Sequence, residues 1–411
     1  MDANRNVIVL PGTKWQIPLV QRLKKRGYRV VVFDCFENQP AYKYADEYRL
    51  IDILDKEGVY NLAKGYLPLA VVSDECDIAT PTIAWVTEKL GLPSIGIEMA
   101  ELYTNKYYMR QFAQKKGFAT PLFFKCFSKE EAIQAYRSFG KKMIMKPLDA
   151  NSSRGVFSIE DETDILKHFA DSIKYSKKEK CILLEEYITG EEFSVDGIIN
   201  SNGYYTMAIA HKKHYADNEN LDQELIFTYS NEEFDYDLLR KTNKEYVEAT
   251  ELKFGLTHAE YKFYNGRFYL IEIGARGGGN LISGVINPEL TGIESQEYLI
   301  DWSIGLPIQN QKIQYMDSYE KKCAIMSFFD IGENNGKVYE ILGEDYLKKN
   351  PCIKSYYFRY SKGDFVDKVK DGGNRFGYYI ACCDSMDELN KVKDEVKKRV
   401  KIKFGNSETE S

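Results

Sequence analysis

Glu260 and Glu272 stand on either side of an Asn265-Gly266 dipeptide, and the run Glu272-Ile273-Gly274-Ala275-Arg276-Gly277-Gly278-Gly279-Asn280 then sets one arginine ahead of three glycines. Two carboxylates carried on a hairpin suit a hard divalent cation such as Mg²⁺, which prefers carboxylate oxygens together with nucleotide phosphates. An arginine followed by glycines makes a tight anion pocket of exposed N–H groups. Asn-Gly between two runs of alternating apolar residues marks the hairpin turn. If the loop holds an odd number of residues, the two glutamates share a face as diagonal neighbours, roughly 7–8 Å apart at the backbone. A two-residue loop puts them on opposite faces and breaks the site.

Three further pieces precede this one along the chain. Lys146 ends an expected strand, Lys142–Met145, just before Pro147, whose fixed φ stiffens the exit. With Lys106 it offers point charges suited to phosphate oxygens. The loop Asn151-Ser152-Ser153-Arg154-Gly155-Val156 is short and rich in hydroxyls, and such a loop can fold over a triphosphate with N–H and O–H donors. Leu183-Leu184-Glu185-Glu186-Tyr187-Ile188 is an apolar strand running into an extended segment that can present backbone groups to an adenine edge. Glu192 follows Glu185 by seven residues, across Gly190, where a carboxylate can accept ribose hydroxyls. The histidines at 168, 211, 214 and 258 form no metal spacing; His258 neighbours the strand of Glu260 and could orient it, and His211 with Lys212 ends a strand that could face phosphates.

These pieces need a scaffold. Asn6–Leu10, Ile17–Arg26 and Tyr28–Phe33 read as strand, helix and strand, one βαβ unit that implies a parallel sheet. Strand Leu69–Val72, helix Pro81–Leu90 and strand Ser94–Ile97 extend it, so residues 1–104 form a doubly wound α/β domain. Its first turn, Pro11-Gly12-Thr13-Lys14, lacks a three-glycine dinucleotide fingerprint. Residues 105–310 form a second, largely antiparallel domain with two subdomains split near 185. Residues 311–405 form a small α+β domain, and 406–411 a disordered tail.

The bulk composition narrows the partners. A net charge of −6, from 56 basic and 62 acidic residues, argues against nucleic acid or an anionic membrane as a main partner. The eight cysteines show no two-residue gap of a zinc or redox motif, so they are expected as free thiols in a reducing compartment. The opening MDANRN has no signal-peptide pattern, and no apolar run approaches the ~18 residues of a membrane span, so a soluble cytoplasmic protein is expected.

In order, spacing and strand context, the four pieces resemble the ATP-grasp superfamily over nearly the whole chain, and within it the L-amino acid ligase-like carboxylate–amine ligases. Val7–Phe33 and Ala45-Asp46 resemble their N-terminal domain, and Gly336-Lys337-Val338 through Gly377-Tyr378-Tyr379 their C-terminal lid. The resemblance implies an ATP-grasp fold with a Rossmann-like N-terminal domain and an α+β lid. It implies that Lys106 and Lys146 contact ATP phosphates, that Ser152, Ser153, Gly155 and Val156 belong to the phosphate-covering loop, and that Glu185, Glu186, Tyr187 and Ile188 form the adenine hinge. Glu192 would hold the ribose, Glu260 and Glu272 would bind Mg²⁺ (or Mn²⁺), and Arg276 would act with Lys146 in catalysis on the γ-phosphate. Many members carry Asn two residues after the second metal glutamate; here that residue is Gly274, which implies altered coordination of a second metal.

The implied reaction joins a carboxylate to an amine, both small molecules and expected to be amino acids, through an acyl phosphate, with release of ADP and phosphate. Catalysis of this kind is mostly positioning and charge neutralisation and needs no serine or cysteine nucleophile. A carboxylase using bicarbonate, or a non-catalytic ATP-binding protein, are the alternatives. A homodimer is implied by the resemblance alone.

Overall fold

A computed structural model describes residues 5–150, 154–177, 179–215, 218–307, 313–332, 334–369 and 374–405. The expected tail at 406–411 lies outside them.

The N-terminal region is a parallel four-stranded sheet in the order Glu47–Leu50, Arg29–Asp34, Asn6–Val9, Ala70–Val72. Alternate residues of the central strands serve two cores. Val7, Val9, Val30 and Val32 pack with Leu19 and Leu23 of helix Ile17–Lys25, whereas Ile8, Val31 and Phe33 pack with Val59, Ala63 and Val86 beneath helices Lys56–Ala63 and Thr80–Leu90. Burial on both faces is what a doubly wound sheet requires. The strand expected over Ser94–Ile97 is absent. Gly96 at φ 93° breaks the extended run, and Ile97 N–H donates to Glu88 Oε1 at 3.0 Å, which starts helix Ile97–Leu102 instead.

Two antiparallel sheets follow. The smaller runs in the order Phe123–Cys126, Ile182–Glu186, Met143–Pro147, Phe157–Ile159 and is covered by helices Lys129–Phe139 and Glu162–Ile173. The larger has eight strands: Arg267–Gly274, Gly255–Tyr264, Glu192–Asn200, Gly203–Tyr215, Asn218–Phe227, Cys323–Phe328, Gly377–Cys383 and Ile353–Phe358. The chain passes from the smaller sheet to the larger between Glu186 and Glu192. The larger sheet also crosses the expected boundary at 310, because Asn218–Phe227 pairs directly with Cys323–Phe328. The last segment is thereby anchored to the same sheet that carries Glu192 and Glu260. Among the described residues, no helix is long and apolar enough to cross a membrane.

Candidate active site

A cavity of about 330 Å³ opens between the two antiparallel sheets and the N-terminal domain, within the range of small-molecule sites. Lys106, Lys146, Glu192, Glu260, Glu272 and Arg276 all line it. The structure therefore brings together residues spread over 170 positions of the chain.

The two glutamates meet by a route that the Asn-Gly turn alone does not provide. The loop between Tyr264 and Arg267 holds two residues, and Tyr264 pairs with Arg267, Phe263 with Phe268 and Tyr261 with Leu270. In that register Glu272 would face away from Glu260. A β-bulge shifts the ladder by one residue between Tyr261 and Glu260, so Glu260 pairs directly with Glu272. Directly opposed residues of an antiparallel pair share a face, and a bulge is a known way to re-aim a side chain. The expectation that a two-residue loop breaks the site is corrected: the inserted residue Ile271 restores it. The signal was present as a change of parity in the buried residues, Phe268 and Leu270 before the bulge and Ile273 after it.

Each glutamate faces a lysine. Lys106, which begins helix Lys106–Lys116, sets Nζ 2.7 Å from Glu272 Oε1 and 2.8 Å from Ala150 O. Lys212 sets Nζ 2.5 Å from Glu260 Oε1, 2.8 Å from Glu192 Oε1 and 3.6 Å from Asp222 Oδ2. Burial lowers the pKa of this ammonium, but the three carboxylates outweigh burial and hold it well above the usual lysine range. Burial likewise raises Glu260, and Lys212 and His258 overcome that to leave it well below the usual carboxylate range. His258 reaches Asp196 through Nδ1 at 3.1 Å and faces Glu260 through Nε2 at 3.8 Å. The orientation of Glu260 by His258 thus has a geometric basis. His214 lies 3.5 Å from Glu192 and 3.3 Å from Asp222. His211 instead stacks on Phe193, with ring centroids 4.8 Å apart, and reaches Glu191.

On the opposite wall the balance of charge reverses. Lys146 Nζ is 2.9 Å from Glu185 Oε2, and Arg110 Nε is 2.6 Å from Glu185 Oε1. Burial raises Glu185, but the two cations pull it down to about 2. Lys146 fares differently: burial lowers it, Glu185 pulls it back, and the Arg110 charge adds to the lowering. One carboxylate shared by two cations leaves positive charge uncompensated, which is what an anion needs. Glu185 was expected in the adenine hinge. Its side chain is the buried counter-ion of two neighbouring cations, and the residue lines the cavity together with Glu186, Tyr187 and Ile188. Glu186 and Tyr187 donate their N–H groups to Leu122 O and Lys142 O, at 2.8 and 3.3 Å. The Tyr187 ring lies under Lys142 Nζ, 4.1 Å from its centroid, and Ile188 lines the cavity.

Of the expected phosphate-covering loop, Ser152 and Ser153 lie outside the described residues. Val156 lines the cavity. Gly155 has φ 74°, and a Cβ there would stand 2.7 Å from the Tyr175 ring, so glycine is needed on both counts.

Arg276 forms a two-point pair with Asp77 of the N-terminal domain, Nε to Oδ1 at 2.8 Å and Nη2 to Oδ2 at 2.7 Å. Gly274 is explained by the same acid, since a Cβ at Gly274 would lie 2.5 Å from Asp77 Oδ1. A side chain at position 274 would therefore meet a carboxylate that arrives from the N-terminal domain. Asp77, Asp196, Asp222 and Arg110 carry no local sequence signal, because each acts from an element remote in the chain. Lys212 was noted only as facing phosphates.

Residues suited to a divalent cation are therefore present: two directly opposed carboxylates, with hard oxygen donors of the kind Mg²⁺ takes. Two stretches of the chain, and its fold as a whole, are similar to known proteins. Residues 139–284 match the ATP-grasp domain, and residues 330–405 match the L-amino acid ligase C-terminal domain 2. Formate-dependent phosphoribosylglycinamide formyltransferase of Prochlorococcus marinus is 25% identical over 219 residues, 52% of this chain and 56% of that relative. Phosphoribosylamine–glycine ligase of Pyrococcus abyssi is 25% identical over 196 residues, 46% of this chain and 44% of that relative. The chain thus spans about half the length of these curated relatives. Among solved structures, L-amino acid ligase from Bacillus licheniformis superposes with a TM-score of 0.80 at 19% identity, covering 99% of this chain and all of that one. Phosphoribosylglycinamide synthetase from Anaerococcus prevotii gives 0.75 at 18% identity, covering 98% and 100%. The chain thus carries an ATP-grasp domain match over residues 139–284 and an L-amino acid ligase C-terminal domain 2 match over residues 330–405, on a fold it shares with the Bacillus licheniformis ligase.

Proposed function

We propose that this protein is an ATP-dependent carboxylate–amine ligase acting on small molecules of the amino acid class. The observation that carries the reading is the direct pairing of Glu260 with Glu272 on the cavity face, with Lys106, Lys146 and Arg276 around them. Glu260 and Glu272 would hold Mg²⁺, or Mn²⁺ in its place, and a bound divalent ion supplies neutralisation of phosphate charge. Lys106 and Lys146 would take the phosphates, and Glu192 the ribose.

In the first step a carboxylate oxygen of one substrate attacks the γ-phosphorus of ATP. The bond to the β–γ bridging oxygen breaks, and ADP leaves. Arg276 would neutralise charge on the transferring group, held in orientation by Asp77. In the second step the amine nitrogen attacks the acyl carbon, the carbon–oxygen bond to phosphate breaks, and the nitrogen loses a proton. The products are an amide, ADP and phosphate. The assignment to amino acids rests on the C-terminal match and on the Bacillus licheniformis neighbour. A cytoplasmic location and a homodimer are part of the same proposal.

The test is ADP release with Mg·ATP across amino acids and small carboxylates, including bicarbonate, with Glu272→Ala as control. Turnover that needs both a carboxylate and an amine, and vanishes in the variant, is expected. Turnover with bicarbonate alone would replace the ligase with a carboxylase, and nucleotide binding without turnover on any substrate would leave a binding protein.

A further inference from the structure

Helix Lys106–Lys116 presents two residues of one face to the site, Lys106 and, four positions on, Arg110. Arg110 does not line the cavity; its side chain is fully buried. Its Nε and Nη2 grip Glu185 at 2.6 and 3.3 Å, and Nη2 also donates to Ile271 O at 2.6 Å. Ile271 is the inserted residue of the bulge. A bulge interrupts the ladder locally, and a partly buried carbonyl there needs a donor from outside the regular ladder. Arg110 supplies that donor.

The bulge decides where Glu272 points. Without it Ile271 would stand opposite Glu260, and Glu272 would turn towards the buried side that holds Ala259 and Ile273. The same guanidinium, through Glu185, fixes Lys146 on the other wall. We infer that Arg110 is a positioning residue for the reaction: it holds the bulge that opposes Glu260 to Glu272 and ties that register to the placement of Lys146. The inference rests on the reading of Glu260 and Glu272 as cation ligands.

The experiment measures Mg²⁺ dependence of binding of a fluorescent ATP analogue, with Mn²⁺ paramagnetic resonance as a direct count of bound cation. The proteins are wild type, Arg110→Lys, Arg110→Met and a deletion of Ile271, each full length, with melting temperatures recorded. Loss of an outer residue that orients ligands weakens metal by about 10- to 100-fold, and this is expected for both substitutions. Lysine keeps the charge but lacks the fork, so it should not rescue. Deleting Ile271 removes the bulge yet leaves Glu272 opposite Glu260 in a regular two-residue hairpin. In that background Arg110→Lys should cost much less cation affinity than it does alone. A purely structural arginine would lower the melting temperature and leave the cation dependence of the folded fraction at the wild-type value, which would overturn the inference. So would an equal loss from Arg110→Lys with and without Ile271. Wild-type protein that shows no Mg²⁺-dependent nucleotide binding would instead sink the functional reading itself. If Arg110→Met does not fold, the lysine pair carries the test.

Discussion

The two walls of the cavity use buried charge in opposite ways. On the wall of the smaller sheet, Arg110 and Lys146 share one carboxylate, Glu185. On the wall of the larger sheet, one ammonium, Lys212, is shared by Glu192, Asp222 and Glu260. The first wall is short of negative charge and the second has carboxylates in excess of its lysine. A phosphate chain with its divalent cation complements both at once. Neither cluster is built for maximum stability, since buried ion pairs contribute little net stability against apolar packing. Their complementarity is what makes them useful.

The largest effect should come from the carboxylate wall. Glu272→Ala or Glu260→Gln removes one of two opposed oxygen ligands, and turnover should fall by at least about 10²–10³, the scale for losing a group that stabilises transition-state charge. Initial-rate measurements of ADP release at saturating substrate check this; a variant within tenfold of wild type would break the contrast between the walls.

Removing the shared cation comes next. Lys212→Met leaves three carboxylates around an apolar side chain and should cost about 3–5 kcal/mol, the scale for breaking a buried pair. Lys146→Met leaves the Arg110–Glu185 pair intact and should cost much less stability, while raising the KM for ATP. Denaturant melts of the two variants side by side would sharpen the comparison, and equal losses would remove it.

Acid should act on the cation-rich wall through Glu185. Its folded pKa of about 2 lies below the ordinary glutamate value of 4.5. A depressed carboxylate contributes stability that is fully present above about 4.5 and is lost as pH falls towards 2. A shift of this size corresponds to something on the order of 3 kcal/mol. Glu185→Gln should be less stable at pH 7 and show a shallower loss between pH 4.5 and 2. An unchanged acid limb in urea melts would mean that Glu185 is not the counter-ion of this wall.

The smallest effect is expected where the N-terminal domain enters. Gly274→Asn sets a Cβ against Asp77 Oδ1, 2.5 Å away, and must displace the partner of Arg276. A loss of about tenfold in kcat with little change in melting temperature is expected, the size of a single charged hydrogen bond.

Much of this site was legible in residue order. Lys106, Lys146, Glu192, Glu260, Glu272 and Arg276 were named from motif order and family resemblance, and all six line one cavity. The parallel sheet of the N-terminal domain followed from strand–helix–strand alternation. The part Glu185 plays as the buried partner of Arg110 and Lys146 was not legible, because nothing local distinguishes a hinge acid from a buried counter-ion. The strand expected over Ser94–Ile97 failed because a side-chain cap from Glu88 is a contact nine residues away.

Local pattern determined which side chains could do chemistry and on what kind of element each sits, because periodicity, turn residues and charge are properties of neighbours in the chain. Only the tertiary structure decided which way Glu272 faces, which carboxylate answers Lys146 and why Gly274 must be small. Those outcomes depend on an arginine four residues after Lys106 meeting a carbonyl at Ile271, and on Asp77 arriving from another domain. A bulge and a buried ion pair are each fixed by a partner remote in the chain, and no window of sequence contains both halves.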